Sequence, residues 1–168
     1  MRTHRLSLSL IFGFALAAGL QGQQAMHSTI LPASAASGVS RFCSRSSPTV
    51  EHGWPLTEKI RQAAEASLLN ASKQGLVVKE IGNPFQYYRQ YVGIVVSGRK
   101  LIYLNAVCKR FHNPGWRNAI EPDVCDSGCN WGVVYDPETH LFSHWERDGA
   151  GPPPIHNSGP MNYDSPSL

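Results

Sequence analysis

The stretch Tyr87–Cys108, YYRQYVGIVVSGRKLIYLNAVC, constrains the fold more than any other part of this chain. It is the densest run of β-forming residues, and it reads as two strands folded back at Ser97-Gly98, with Cys108 closing the second. Side chains on a strand alternate between faces. Tyr88, Val92, Ile94 and Val96 therefore share one face, and Tyr87, Arg89, Tyr91 and Val95 the other. The return strand sets Ile102, Leu104 and Ala106 against Leu101, Tyr103 and Asn105. Both faces carry apolar residues, which places this pair in the interior of a sheet. A two-residue turn and a three-residue turn with Gly98 as a G1 bulge would align different faces. The bulged form is the expected one, because it sets Val92 beside Ile102.

Around this hairpin, Leu56–Lys73 is the one stretch with helical periodicity. Leu56, Ile60, Ala63, Ala64, Leu68 and Ala71 form its apolar stripe. Glu58, Lys59, Arg61, Gln62 and Glu65 are expected on the outer face. Thr57 is the expected N-cap and Gly75 the stop. A short strand is expected at Leu76-Val77-Val78. Further strands are expected at Trp131–Tyr135 and Leu141–Trp145, joined by a tight turn over Asp136–His140 in which His140 takes the left-handed conformation. The fold class is then α+β: one helix packed on an antiparallel sheet of about four to five strands, in two layers.

The N-terminus reads as an export signal. Arg2 and Arg5 precede an uncharged apolar run, Leu6–Leu20, that is too short to span a bilayer comfortably. Small residues suited to cleavage stand at Ala17-Ala18-Gly19, and an A-x-A form stands further on at Ala33-Ser34-Ala35. The expected organisation is a signal over 1–22, a flexible linker or arm over 23–48, one α+β domain over 49–150 and a disordered tail over 151–168. That implies a periplasmic or secreted protein with no stable membrane span after cleavage.

Loss of the signal would leave 13 basic against 12 acidic residues, too little net charge for a nucleic-acid footprint. The charge is uneven. From Glu121 onward eight acids face Arg147 alone. Two oppositely charged halves that fold onto each other, or an acidic face for a cationic partner, would both give this pattern. The four cysteines, Cys43, Cys108, Cys125 and Cys129, point to disulfides in an exported chain. The expected pairing is Cys108–Cys125 with Cys43–Cys129, joining one strand end to the next and the arm to the sheet.

Candidate chemistry is sparse. His140 and His144 stand four apart, but in a turn and strand rather than on a helix, so they do not form a metal pair. A hydrolase or metal-dependent enzyme would have to recruit His112 or His144 with Asp126 or Asp136. No phosphate loop, dinucleotide fingerprint or nucleophile elbow is present, and no cofactor or metal is expected. The long loop 109–123 carries Phe111, His112, Trp116 and Arg117 and is the candidate recognition loop. Aromatic residues crowd the β half. With only one helix to cover the sheet, some of them are expected at the surface, where Tyr and Trp favour protein or glycan recognition.

The runs YVGIVVSGRKLIYLNAVC, VCDSG and WGVVYDPETHLFSHWERDG resemble those of small exported proteins of Gram-negative bacteria, mostly of unknown function, over about Tyr88–Gly149. The order of helix then sheet is also similar to cystatin-like folds. These resemblances imply a structural framework and carry over no catalytic residue. The expectation is a non-catalytic binding module of the cell envelope, with an envelope protein or glycan as partner. The alternatives are a small periplasmic hydrolase or metal-dependent enzyme, and an inhibitor or immunity-type protein using loop 109–123, with an exposed Trp116, as its wedge.

Overall fold

The structure is a computed structural model that describes residues 27–42, 45–46, 48–75, 81–109, 114–121 and 128–149. It is an α+β fold. The strands are β1 (Ser28–Ile30), β2 (His52–Trp54), β3 (Tyr88–Val96), β4 (Arg99–Val107), β5 (Trp131–Asp136) and β6 (Leu141–Arg147), with helix α1 at Glu58–Lys73. The sheet runs β1-β3-β4-β5-β6, and β2 pairs with the far half of β3. It is mixed rather than purely antiparallel, because β1 lies parallel to β3. The expected strand at Leu76-Val77-Val78, the signal and the tail lie outside the described residues.

β3 and β4 form the centre of the sheet. The turn is the two-residue form, not the bulged one, with Val96 opposite Arg99 and Val92 opposite Tyr103. Ser97 and Gly98 both adopt positive φ, 50° and 72°, the pattern of a type I′ turn. That turn matches the right-handed twist of the strands it joins, which outweighs the cost of a left-handed Ser. The Glu51 carboxylate accepts from the Gly98 N–H at 3.1 Å. The irregularity expected here occurs instead in β6, opposite Gly132–Val134 of β5, where His144 has φ 52°.

α1 packs on one face over Tyr91, Ile102, Leu104, Trp131, Val133 and Tyr135. Thr57 caps it, accepting from the Ile60 N–H. Its buried face differs from the apolar stripe. Ala63 is exposed, whereas Arg61 and Glu65 are buried with Ala64 and Leu68. The reason lies across the interface. One Glu65 oxygen accepts from Arg89 Nε at 3.1 Å and from the Tyr91 hydroxyl at 2.9 Å. Arg61 pairs with Glu58 and Glu65 and donates to Ser28 Oγ at 2.8 Å. A buried charge needs opposite charge and hydrogen bonds, and the sheet supplies them. Burial first, then the neighbouring Glu65 charge, holds the Tyr91 phenol well above its ordinary pKa, so it serves as a donor.

The second face of the sheet is also covered. The expected flexible arm contributes β1 and a 3-10 helix, Ala33–Arg41, that lies across this face. Leu31, Ala36 and Val39 are buried against Val92, Ile94, Tyr103 and Val134. Small residues allow the close approach. A Cβ at Gly53 would sit 1.9 Å from the Ala33 carbonyl oxygen, and one at Gly38 would sit 2.3 Å from Ile120 Cγ2. Tyr103 is buried beneath this cover, while Tyr91, Trp131, Tyr135 and Phe142 are buried in the core under α1.

Candidate functional site

The lower part of the second face is closed by the segment 114–121, which hangs between β4 and β5. Its attachment begins with a disulfide. Cys108, just past β4, is bonded to Cys129, just before β5, with the Cα atoms 6.1 Å apart. This corrects the expected Cys108–Cys125 pairing: the bridge joins the two strand ends and closes the whole connection, rather than bonding within it. Cys43 and Cys125 lie outside the described residues.

Gln90 of β3 holds the segment from below. Its Nε2 donates to the carbonyl oxygens of Trp116 and of Ala119, the latter at 2.7 Å. Its Oε1 accepts from the Glu121 N–H at 2.8 Å and from Asn105 Nδ2 at 2.8 Å. All four hydrogen-bonding capacities of the amide are engaged. Asn105 also donates to the Glu121 carbonyl at 3.0 Å. Beyond it stands Arg45, whose Nη2 donates to Asn105 Oδ1 at 3.0 Å and Nη1 to the Tyr103 hydroxyl at 3.2 Å, and whose Nε lies 2.8 Å from the Asp148 carboxylate as an ion pair. Gly132 leaves room for the Arg45 and Tyr103 head groups, which a Cβ would strike. A polar chain from Asp148 to Gln90 thus runs beneath the segment and fixes its base.

On that base the segment bears a row of stacked groups. The Trp116 ring is 2% exposed and meets Tyr88 edge-on at 5.1 Å. Tyr88 in turn lies 4.8 Å from the His27 ring. The Arg117 guanidinium lies over the Trp116 ring, 4.5 Å from its centre. Tyr88 and His27 are half-buried and Arg117 is exposed, together with Pro114, Gly115, Asn118 and Ala119. Trp116 is therefore an anchor folded under the loop. Phe111 and His112 lie outside the described residues.

The histidines and acids of the enzyme reading are engaged elsewhere. His140, at φ 60°, accepts or donates at Nδ1 with the Tyr135 hydroxyl at 2.7 Å, and that hydroxyl meets Ser67 Oγ at 3.1 Å. His144 Nδ1 lies 3.2 Å from Ser143 Oγ. Asp136 binds Arg99 and the N–H groups of Glu138 and Thr139. Among the described residues no three His, Cys, Asp or Glu side chains gather as metal ligands, and no helix is long and apolar enough to cross a membrane. His112 and Asp126 lie outside the described residues. An open cleft of about 240 Å³ between β1 and α1 is lined by Ser28, Thr29, Ile30, Glu58 and Arg61, with Arg61 committed to Glu58 and Ser28.

Comparison with protein families, characterised proteins and solved structures returns no match. Sequence reasoning found Trp116 and Arg117 from their place in a Pro-Gly loop. It missed His27, which lies in the stretch taken for a linker, and Gln90, whose polarity within an apolar strand is the one signal that something must be satisfied there.

Proposed function

We propose that this protein is an exported, disulfide-stabilised binding module of the cell envelope, and that the outer side of segment 114–121 is its recognition surface. The observation that carries this reading is the Gln90 clamp. Three backbone groups of one exposed segment are fixed by a single buried amide. A loop held in one conformation before it meets a partner loses less entropy on binding, and preorganisation of this kind raises affinity. Exposure of Arg117 and Asn118 on that fixed base gives the partner a charged and a polar handle. The apolar run at residues 6–20 and the Cys108–Cys129 bridge favour an oxidising, extracytoplasmic location. The buried Trp116 speaks against a wedge-type inhibitor built on that indole.

A photo-crosslinking residue placed at Asn118 tests the reading in intact cells, with the same residue at Glu138 as control. We expect a discrete adduct from Asn118, in the extracytoplasmic fraction, and none from Glu138. Identical adduct patterns at both positions, or a cytoplasmic protein, would overturn it.

A further inference from the structure

We propose that Arg147 and Trp145, on the edge strand β6, bind a small carboxylic acid with a flat apolar body. The site lies on the α1 face of the sheet, so it goes beyond the recognition surface on segment 114–121, which closes the other face. Three observations carry it. The first is how β6 is bent to build the site. Phe142 and Trp145 stand three apart and would point to opposite sides of a regular strand. One extra residue in β6 opposite Val133, with His144 at φ 52°, turns both toward the α1 face. There the Trp145 ring lies 5.5 Å from Phe142 and 5.5 Å from Trp131. Arg147 follows two residues on, on the same face and directly opposite Trp131. Tyr87 meets Trp131 edge-on at 5.6 Å, and burial raises its phenol pKa against the opposing charge of Arg147.

The second observation is what these side chains offer. Arg147 is the one Lys or Arg after Glu121, in the part of the chain richest in acids. Its neighbours Glu146 and Asp148 nevertheless bind Ser46 and Arg45 of the N-terminal arm. Among the described residues, no hydrogen bond or ion pair engages the Arg147 or Trp145 side chain. Trp131 Nε1 is buried without an acceptor. Guanidinium and indole N–H groups only donate. Arg147, Trp145 and Trp131 therefore bring donors together without an acceptor, and an anionic oxygen ligand supplies what they lack. The third observation is charge and shape. Arg147 and Trp145 are half-buried, so solvent reaches both. A carboxylate fits the planar fork of a guanidinium. One guanidinium beside neutral indoles balances a single negative charge, which suits a carboxylate better than a nearly doubly charged phosphate. The Trp145 ring gives the flat apolar body a surface to stack on.

Titration of the purified protein, followed by the indole N–H signals in proton–nitrogen NMR spectra, tests this. The probes are benzoate, its neutral counterpart benzamide, acetate and phenyl phosphate. Benzoate should shift the Trp145 indole signal saturably. Benzamide, without the charge, and acetate, without the ring, should each bind about tenfold or more weakly than benzoate, and phenyl phosphate should bind no tighter. Arg147→Gln should weaken benzoate binding by about tenfold or more while keeping the wild-type unfolding midpoint. Trp145→Phe, which keeps a ring and removes the N–H, should weaken it by about threefold or more. Lys59→Ala, which removes an equal charge on α1, should leave affinity unchanged. The proposal is overturned if benzoate leaves the Trp145 signal in place, if benzamide or acetate binds as well as benzoate, if phenyl phosphate binds tighter, if Arg147→Gln binds like wild type, or if Lys59→Ala loses as much as Arg147→Gln. The Asn118 adduct reports on the other face, so either result can fail while the other stands.

Discussion

Gln90 and Asn105 sit directly opposite each other on neighbouring strands and turn their amides toward a segment that has no regular structure of its own. Replacing Gln90 by Leu would leave the Trp116 and Ala119 carbonyls and the Glu121 N–H short of a partner in a water-poor place. Each such group costs about 1–3 kcal/mol. A loss of about 2–4 kcal/mol in urea unfolding is expected, together with faster hydrogen exchange over 114–121. Unchanged exchange there would show that the clamp does not hold the segment. Asp136 sets a pH dependence at the same scale. Burial works against its ionisation, but N–H bonds from Glu138 and Thr139, the Thr139 hydroxyl and the Arg99 charge outweigh burial and hold its pKa below the ordinary 3.8. A carboxylate with a depressed folded pKa contributes stability that is present above its unfolded value and lost as pH falls through the folded one. Stability should therefore decline below about pH 3.8. Asp136→Asn should flatten part of that decline, as read from denaturation midpoints across the acid range.

Among elements, the N-terminal covering segment departs furthest from what its composition conveys. Ser, Ala and Gly over residues 31–41 read as a linker because they offer little apolar area per residue. In place they pack closely on the sheet, and Leu31, Ala36 and Val39 supply the apolar contacts. This bears on processing. Cleavage after Ala35 would remove β1, Leu31 and the first third of the 3-10 helix. Under the proposed export, the mature chain is predicted to begin upstream of His27, which N-terminal sequencing would check. A recombinant chain starting at Ala36 should be less stable by about 2–5 kcal/mol, the scale for losing one buried Leu side chain. A chain starting at Ala36 with the stability of the longer form would contradict this. The helix offers a second case. Its position, cap and stop follow from residues 57–75 alone, yet its buried face includes Arg61 and Glu65. Periodicity ranks residues by polarity, and it has no access to the Arg89 and Tyr91 side chains that make burial of Glu65 affordable.

At the scale of the molecule, the two oppositely charged parts of the sequence meet across the fold. Arg45 pairs with Asp148, and Arg99 with Asp136. That favours the internal-pairing account of the charge asymmetry over an acidic face. The Cys108–Cys129 bridge leaves one two-disulfide connectivity of the three that four cysteines allow, the one that also joins Cys43 to Cys125. A non-reducing peptide map should find those two bridges. Substituting Cys108 and Cys129 together by Ala should cost about 2–4 kcal/mol, in line with a closed loop of 21 residues. A map with Cys108 bonded to Cys125 would refute the connectivity.

The hairpin, the helix, the 136–140 turn and the α+β class follow from local pattern, because alternation, capping and turn chemistry act between residues close in sequence. Tertiary structure decided the rest: the I′ register, the cover on the second face, the disulfide partner and the polar chain from Asp148 to Gln90. Each of these depends on groups far apart in the chain. Arg45 and Tyr103, for example, meet only after the sheet exists and Gly132 has left the space between them. The proposed recognition surface has the same origin. Trp116 and Arg117 are neighbours in sequence, but His27 and Tyr88 join them only because β1 pairs with β3 and Gln90 draws the loop down onto that edge.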